Sequence, residues 1–134
     1  MGQQQLLLIV LGVIVVGIAV VAGINLFGAS HDESIKDELV SQCLAIGANA
    51  QQFFIKPASM GGGDNTFNTG GTGNAGYVIP PNMATTSNGN YAVGTKSATL
   101  YTVVATPKVI SGKTYNFANV TCSVTPSTIT TVIN

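Results

Sequence analysis

Residues 6–27, LLLIVLGVIVVGIAVVAGINLF, form the stretch that decides the fold of this chain. They include no charged side chain and a single polar one, Asn25. With a rise of about 1.5 Å per residue, a helix of this length measures about 33 Å, which matches the roughly 30 Å hydrocarbon core of a bilayer. The stretch can therefore cross a membrane as one helix.

Three interpretations of this stretch compete. A cleavable secretory signal would place Gly28 and Ser30 at the −3 and −1 positions of a cleavage site. However, the apolar region exceeds the usual length of such signals, and no basic residue precedes it. The second interpretation is a plain membrane anchor. The third is a helix that begins in a membrane and ends inside a protein filament, and the rest of the sequence favours it.

The chain is poor in charge. Of its 134 residues 7% are charged, and the formal net charge is zero. Nucleic-acid binding is not expected, because the sequence has no basic cluster to attract phosphates. A neutral surface suits a subunit that packs against copies of itself without repulsion, and it suits an ordinary extracellular domain equally well. The length allows one domain besides the apolar stretch.

Three segments follow one another along the chain. Residues 1–28 are apolar, and residues 29–56 have the pattern of an amphipathic helix. Residues 57–134 are rich in Gly, Thr, Asn and Ser, with short β-branched runs that are typical of strands and turns. We therefore predict an α+β fold in which a long N-terminal helix, first apolar and then amphipathic, packs on a small antiparallel β-sheet head.

The amphipathic segment has predicted ends and a predicted buried face. Ser30 and Glu33 fit a capping box that would start a second helix, and Pro57 ends it because proline disfavours the helical backbone at the preceding residue. Val40 and Leu44 lie outside the buried face, either as ordinary surface residues or as an edge that contacts a neighbouring subunit. The buried face is a stripe within an arc of about 100°, formed by Ile35, Leu39, Cys43, Ile46, Ala50, Phe53 and Phe54.

Strands are predicted after residue 90. Turns are expected at Asn88-Gly89 and Ser111-Gly112. Tyr115 and Phe117 have the opposite parity to Val120, Cys122 and Val124, so a bulge near Ala118-Asn119 is expected if both sets are buried. The four predicted strands are residues 91–94, 97–106, 114–125 and 127–134.

The two cysteines, Cys43 and Cys122, lie on the predicted core faces of the helix and of a strand. If this part of the chain is outside the cytoplasm, a disulfide between them is expected. It would close a loop of about 80 residues and contribute about 4 kcal/mol to stability in the chain-entropy model. The alternative is two buried thiols that act as small hydrophobic residues.

Signatures of catalysis are missing from the sequence. His31 is the only histidine and stands beside the predicted helix start, and residues 61–76 resemble neither a phosphate-binding loop nor a calcium loop. Asn119 begins a glycosylation sequon that a chance match explains well in a chain so rich in Asn and Thr. We expect no enzymatic activity, no metal and no cofactor.

A long apolar helix that continues into an amphipathic helix, followed by a small β-rich head with two cysteines, resembles type IV pilins and related pilin-like proteins. The resemblance implies a short leader cut after a glycine, which would be Gly2, with Gln3 as the new N-terminus. Two features depart from the family. The leader would be only two residues long without a basic residue, and Leu7 stands where the family has a glutamate.

The resemblance also suggests roles for the polar start and the glycines. Gln3, Gln4 and Gln5 would satisfy buried polar groups between subunits by amide hydrogen bonds, without the cost of burying an unpaired carboxylate. Three glycines in the apolar helix would permit close helix packing or local unwinding on assembly; they are Gly12, Gly17 and Gly23.

These observations predict a structural subunit of an extracellular type IV pilus-like filament, which assembles through its apolar N-terminal helix. Its expected partners are identical subunits, the membrane before assembly and the pilus assembly machinery. One alternative is a single-pass membrane-anchored protein with an extracytoplasmic β-rich binding domain, and another is a pseudopilin of a secretion system.

Overall fold

The computed structural model describes residues 2–70, 75–109 and 112–134. It has an α+β fold, as predicted, in which one long helix precedes a four-stranded antiparallel sheet. Its elements in chain order are α1 (Gly2–Ile55), a 3₁₀ turn (Ala58–Met60), α2 (Pro81–Ala84), β1 (Gly89–Lys96), β2 (Tyr101–Pro107), β3 (Val120–Val124) and β4 (Ile129–Ile133).

Helix α1 is continuous across the boundary at which a second helix was predicted to start. Ser30 and Glu33 lie inside it, so the predicted capping box is wrong. A cap satisfies the free N–H groups at the start of a helix, and within a helix that is already formed those groups bond to the preceding turn instead. The chain divides into two compact units, Met1–Ser34 and Ile35–Asn134; we call the second the globular unit.

Helix α1 ends where predicted, and the glycine-rich segment that follows caps its C-terminal end. The helix ends at Ile55, two residues before Pro57. The backbone N–H of Gly63 donates to the carbonyl of Phe53 at 2.8 Å, which satisfies a terminal carbonyl of the helix. Glycine is required in this segment, because a Cβ on Gly62 would lie 2.1 Å from the carbonyl oxygen of Lys56.

The rest of the glycine-rich segment is anchored by an aromatic residue. Phe67 is fully buried, and its backbone N–H donates to the carbonyl of Ala98 at 3.0 Å. Its ring packs against those of Phe54 and Tyr101, at centroid distances of 4.8 and 6.0 Å. The segment is therefore packed over the core in the part that the structure describes, while residues 71–74 lie outside the described residues.

The sheet has the strand order β1-β2-β3-β4, with each neighbouring pair antiparallel. Strands β2 and β3 alternate buried and partly exposed residues, and their buried face packs on the globular part of α1. The predicted stripe on α1 is confirmed with two differences: Phe53 is only partly buried, and Gly47 is buried as well. The helical residues at the core are Ile35, Leu39, Cys43, Ile46, Gly47, Ala50 and Phe54.

Three of the predicted strands are shorter than expected, and the last of them is Ile129–Ile133 instead of residues 127–134. Residues 97–100 form a turn in which Ser97 N–H donates to the carbonyl of Leu100 at 2.8 Å. Residues 114–119 are irregular, so the predicted bulge within a continuous strand is wrong. Tyr115 and Phe117 are nevertheless buried together with β3, because an irregular chain can change the direction of its side chains without a strand that bulges.

The turn predicted at Asn88-Gly89 lies one residue earlier: the N–H of Thr86 donates to the carbonyl of Gly89 at 2.8 Å, so Ser87 and Asn88 form the turn and Gly89 is the first residue of β1. Of the other predicted turn, Ser111 lies outside the described residues, and Gly112 has a positive φ of 73°.

Candidate functional site

The apolar stretch, residues 6–27, is exposed along its whole length within the N-terminal unit. Each of its large aliphatic and aromatic side chains is more than half exposed, and Leu26 and Phe27 reach 71% and 79%. A contiguous apolar surface of this size marks an interaction site with protein or membrane, since soluble proteins rarely leave one open to water. Helix α1, which contains the stretch, is long and apolar enough to cross a membrane.

The three glutamines lie in the first turn of α1 and are exposed. The first N–H groups of a helix have no partner within it, so this turn offers both backbone donors and amide side chains to whatever surrounds it. Burial of Gln3, Gln4 and Gln5 between subunits stays a prediction, because it needs a second chain. Cleavage between Gly2 and Gln3 also stays a prediction, as Met1 is outside the described residues and Gly2 is the first residue of α1.

The three glycines of the apolar stretch lie on an uninterrupted helix. A Cβ placed on Gly12, Gly17 or Gly23 would meet no atom of the described residues within 4 Å. Alanine would therefore fit at all three positions in a single chain, and it is the better helix former by about 1 kcal/mol. Any intolerance of a side chain at these positions must come from a second chain or from a change in the helix on assembly.

The two cysteines are brought together in the core of the globular unit. Cys43 Sγ donates to the carbonyl of Val103 at 3.9 Å, and Val103 is the register partner of Cys122 in the β2–β3 pair. Both cysteines are 0% exposed. The hydrogen bond with Cys122, followed by burial, raises the pKa of the Cys43 thiol, so this thiol stays protonated at neutral pH while it is reduced.

The structure has both cysteines as free thiols. The disulfide between Cys43 and Cys122 stays a prediction, for which their juxtaposition between helix and sheet is the necessary condition.

A cleft of about 410 Å³ lies beside the C-terminal end of α1 and is lined in part by Asn49, Phe53, Lys56 and Tyr77. The Tyr77 hydroxyl donates to Asn49 Oδ1 at 2.9 Å and approaches the carbonyl of Ile46 at 3.4 Å. Burial raises the pKa of Tyr77 to about 12, so it is neutral at physiological pH. These contacts give the polar groups of the cleft a structural role in holding the segment around residue 77 to the helix.

Within the described residues, no three His, Cys, Asp or Glu side chains are grouped so that they could hold a metal ion. The absence of catalysis and of cofactors stays an expectation from the sequence.

The chain matches no protein-family model, no curated protein sequence and no solved structure. Its architecture, an apolar helix that continues into a helix packed on a small antiparallel sheet, is compatible with that of pilin-like proteins.

Sequence reasoning missed one exposed feature of the globular unit. The sequence predicts a strand at residues 127–134 but does not predict that this strand, β4, lies at the edge of the sheet. Its residues are almost all exposed although they are β-branched and uncharged. The available signal was a short run, Ile129–Ile133, with strong strand propensity and none of the charges that usually protect an edge.

Proposed function

We propose that this chain is the structural subunit of an extracellular pilus-like filament, in which the apolar stretches bundle inside and the globular units lie outside. The observation that carries the proposal is the continuity of α1. The same helix has an exposed, uncharged stretch of large apolar residues and, further along, a face buried against the sheet. Bundling these stretches would remove their apolar surface from water. Each Å² of apolar surface buried in this way would stabilise the filament by about 25 cal/mol.

The glycines and glutamines support a protein environment for the assembled stretch. A helix that only faces lipid gains nothing from glycine, whereas a helix that packs against others can use it for close approach. Amide side chains at one end can exchange hydrogen bonds with the same turn of a neighbouring helix. The membrane then holds the subunit before assembly, together with the assembly machinery.

A single-pass membrane protein with an outward-facing binding domain is the second candidate, favoured by the fact that α1 meets the length and composition of a membrane span. A pseudopilin of a secretion system would share the same architecture, in a short assembly that stays at the membrane.

Electron microscopy of material sheared from cells tests the proposal. We expect filaments that are labelled along their length by an antibody against the globular unit, and peptides of this chain as their main component by mass spectrometry. As a control, the same antibody should detect the unassembled subunit in the membrane fraction. Recovery of the chain only in membranes, with no labelled filaments in the sheared material, would favour the membrane-anchored protein instead.

The same material tests the leader. Mass spectrometry of the N-terminal peptide should show a chain that begins at Gln3, and a chain that retains Met1 and Gly2 would contradict cleavage.

A further inference from the structure

Among the residues that the structure describes, no strand pairs with the outer side of β4, which leaves one edge of the sheet open. The N–H of Asn134 donates to the carbonyl of Asn119 at 2.9 Å, and the N–H of Thr125 donates to the carbonyl of Thr128 at 2.8 Å. In an antiparallel pair, successive residues direct their N–H and C=O groups alternately toward and away from the partner strand. These bonds therefore assign Thr128, Thr130, Val132 and Asn134 to the β3 side and point the backbone groups of Ile129, Thr131 and Ile133 away from the sheet.

This open edge lacks the devices that normally protect one. Natural edge strands are blunted by charges, proline or bulges, and β4 has no charged residue, no proline and an unbroken register with β3. Its side chains are accessible on both faces. Thr130 and Val132 are exposed on one face, and on the other Thr131 is exposed and Ile133 is 47% exposed.

The opposite edge of the same sheet is protected. Both outward backbone groups of Gly89 are hydrogen-bonded to Thr86. The N–H of Gly89 donates to Thr86 Oγ1 at 3.1 Å, and the N–H of Thr86 donates to the carbonyl of Gly89 at 2.8 Å. Thr85 forms a bridge to Asn90, and the register of β1 shifts before it ends at a lysine, Lys96. The contrast within one sheet indicates that the open edge at β4 is a place for a partner strand.

The helix adds an apolar flank to this edge. Gly47 faces β4, because a Cβ there would lie 3.0 Å from Ile129 Cδ1, and Gln51 Nε2 donates to the carbonyl of Thr125 at 3.0 Å. Residues three or four apart share a helix side, so Leu44 and Val40 continue this side of α1 along β4. Leu44 is 41% exposed and Val40 is partly buried against the core.

We propose that β4 pairs antiparallel with β4 of a second copy of this chain and joins two sheets into one. The residues Ile129–Ile133, ITTVI, read almost the same in both directions about Thr131. Antiparallel pairing about a two-fold axis at Thr131 therefore places Ile129 against Ile133 and Thr131 against Thr131, while Thr130 and Val132 face each other. The three outward residues of each copy would exchange about six backbone hydrogen bonds.

The composition favours a second copy of this chain as the strand that pairs with the open edge of β4. An open strand edge accepts extended segments of many kinds through main-chain bonds, and side chains decide among them. The β4 edge has no charge that would attract a charged segment, and the chain has no net charge that would keep its copies apart. This pairing goes beyond the proposed filament and does not depend on it, because a membrane-anchored protein could pair in the same way.

Cysteine cross-linking of the full chain in detergent tests the pairing. In the predicted register the two Thr131 Cα atoms are about 5.5 Å apart, within the range that a disulfide spans. Thr131→Cys should therefore form a reducible dimer on mild oxidation, about ten times more than Thr95→Cys, which is also an exposed threonine but on the opposite edge strand. The native thiols Cys43 and Cys122 are 0% exposed and do not compete.

Two substitutions at the same position complete the test. Thr131→Pro removes an N–H that points away from β3, so it should give a monomer by light scattering and lower the unfolding temperature only by the stability that pairing contributes. Thr130→Pro, the matched control, removes an N–H that faces Ser123 and should lower the unfolding temperature. Thr131→Lys places like charges at the two-fold axis and should also give a monomer.

A dimer that survives both Thr131→Pro and Thr131→Lys overturns the proposal. So does cross-linking of Thr131→Cys that is no stronger than that of Thr95→Cys, which is also the result expected if β4 pairs with a different protein.

Discussion

At the scale of single residues, the two cysteines lie where the helix packs on the sheet. Cys43 is near the centre of the buried face of α1, and Cys122 is in the middle of β3, with Val103 opposite it on β2. In material that has left the cytoplasm we expect a disulfide between them, and mass spectrometry of unreduced peptides should show the cross-link. Reduction should then cost about 4 kcal/mol of unfolding free energy in the chain-entropy model.

The control for the disulfide is Cys43→Ala combined with Cys122→Ala. This variant should unfold at the same temperature with and without reductant, whereas the native chain should not. Free thiols in the secreted material would contradict the cross-link and would leave the two cysteines as buried apolar residues.

Gly47 is a second residue whose role comes from its neighbours. A Cβ at this position would lie 3.0 Å from Ile129 Cδ1 and 3.1 Å from Val124 Cγ2. Gly47→Ala should therefore destabilise the globular unit by about 1 kcal/mol or more, because the crowding exceeds the gain in helix propensity. Gly12→Ala meets no neighbour and is the matched control, so its thermal unfolding should be unchanged or slightly raised. Equal unfolding temperatures for the two variants would contradict the close contact.

At the scale of elements, α1 serves two different surroundings along one helix. The segment from Ile35 to Phe54 is held by the sheet, whereas the large side chains of the apolar stretch, residues 6–27, are exposed among the described residues. The physical question for this stretch is whether lipid or other helices cover it in the mature assembly. Substitutions at its glycines and at its glutamines distinguish a lipid environment from packing against other helices.

We expect at least one of Gly12, Gly17 and Gly23 to be intolerant of substitution in filament assembly. Alanine and valine should be compared at each position, with the yield of sheared filaments measured against membrane-inserted protein. A clash at a close helix crossing should worsen with side-chain volume, whereas a loss of local unwinding should appear already with alanine. Normal assembly of all six variants would show that the glycines are incidental.

We expect replacement of Gln3, Gln4 and Gln5 by alanine to reduce assembly more than insertion. Alanine crosses lipid at least as well as glutamine, so insertion should be kept. Buried polar partners in a neighbouring subunit would lose hydrogen bonds, at about 1–3 kcal/mol for each group that is left unsatisfied. The two measurements are the inserted fraction and the sheared filament yield in the same cells. Equal losses in both would indicate a simple anchor.

At the scale of the whole molecule, low charge predicts how the assembly should respond to its solvent. The apolar stretch has no charged residue, and exposed ionic contacts are the ones that salt screens, with a Debye length of about 3 Å at 1 M. We therefore expect sheared filaments to withstand 1 M salt and to dissolve in a mild detergent that solvates the apolar helices. Sedimentation of filaments before and after each treatment measures this. Dissolution by salt alone would show that charged contacts hold the subunits together.

The sequence by itself determined the helix and its two environments. A run of apolar residues long enough to span a bilayer, followed by a stripe with helical period, is local information and does not depend on distant residues. The same holds for the end of α1 before Pro57 and, to within one residue, for the turn predicted at Asn88-Gly89. Local patterns failed where the result depends on neighbouring structure. The pattern at Ser30 predicted a helix start, but α1 is already formed before Ser30 and continues through it.

Only the tertiary structure decided which residues meet. The parity of Tyr115 and Phe117 predicted a bulged strand, but the structure buries both residues from an irregular segment instead. The contact of Gly47 with Ile129 joins residues that are far apart in the chain, so no local pattern specifies it. The local patterns put Cys43 and Cys122 on core faces, and the tertiary structure shows that the two faces meet. The open edge of β4 is likewise a property of strand order, because a strand is an edge only by virtue of which strands pair beside it.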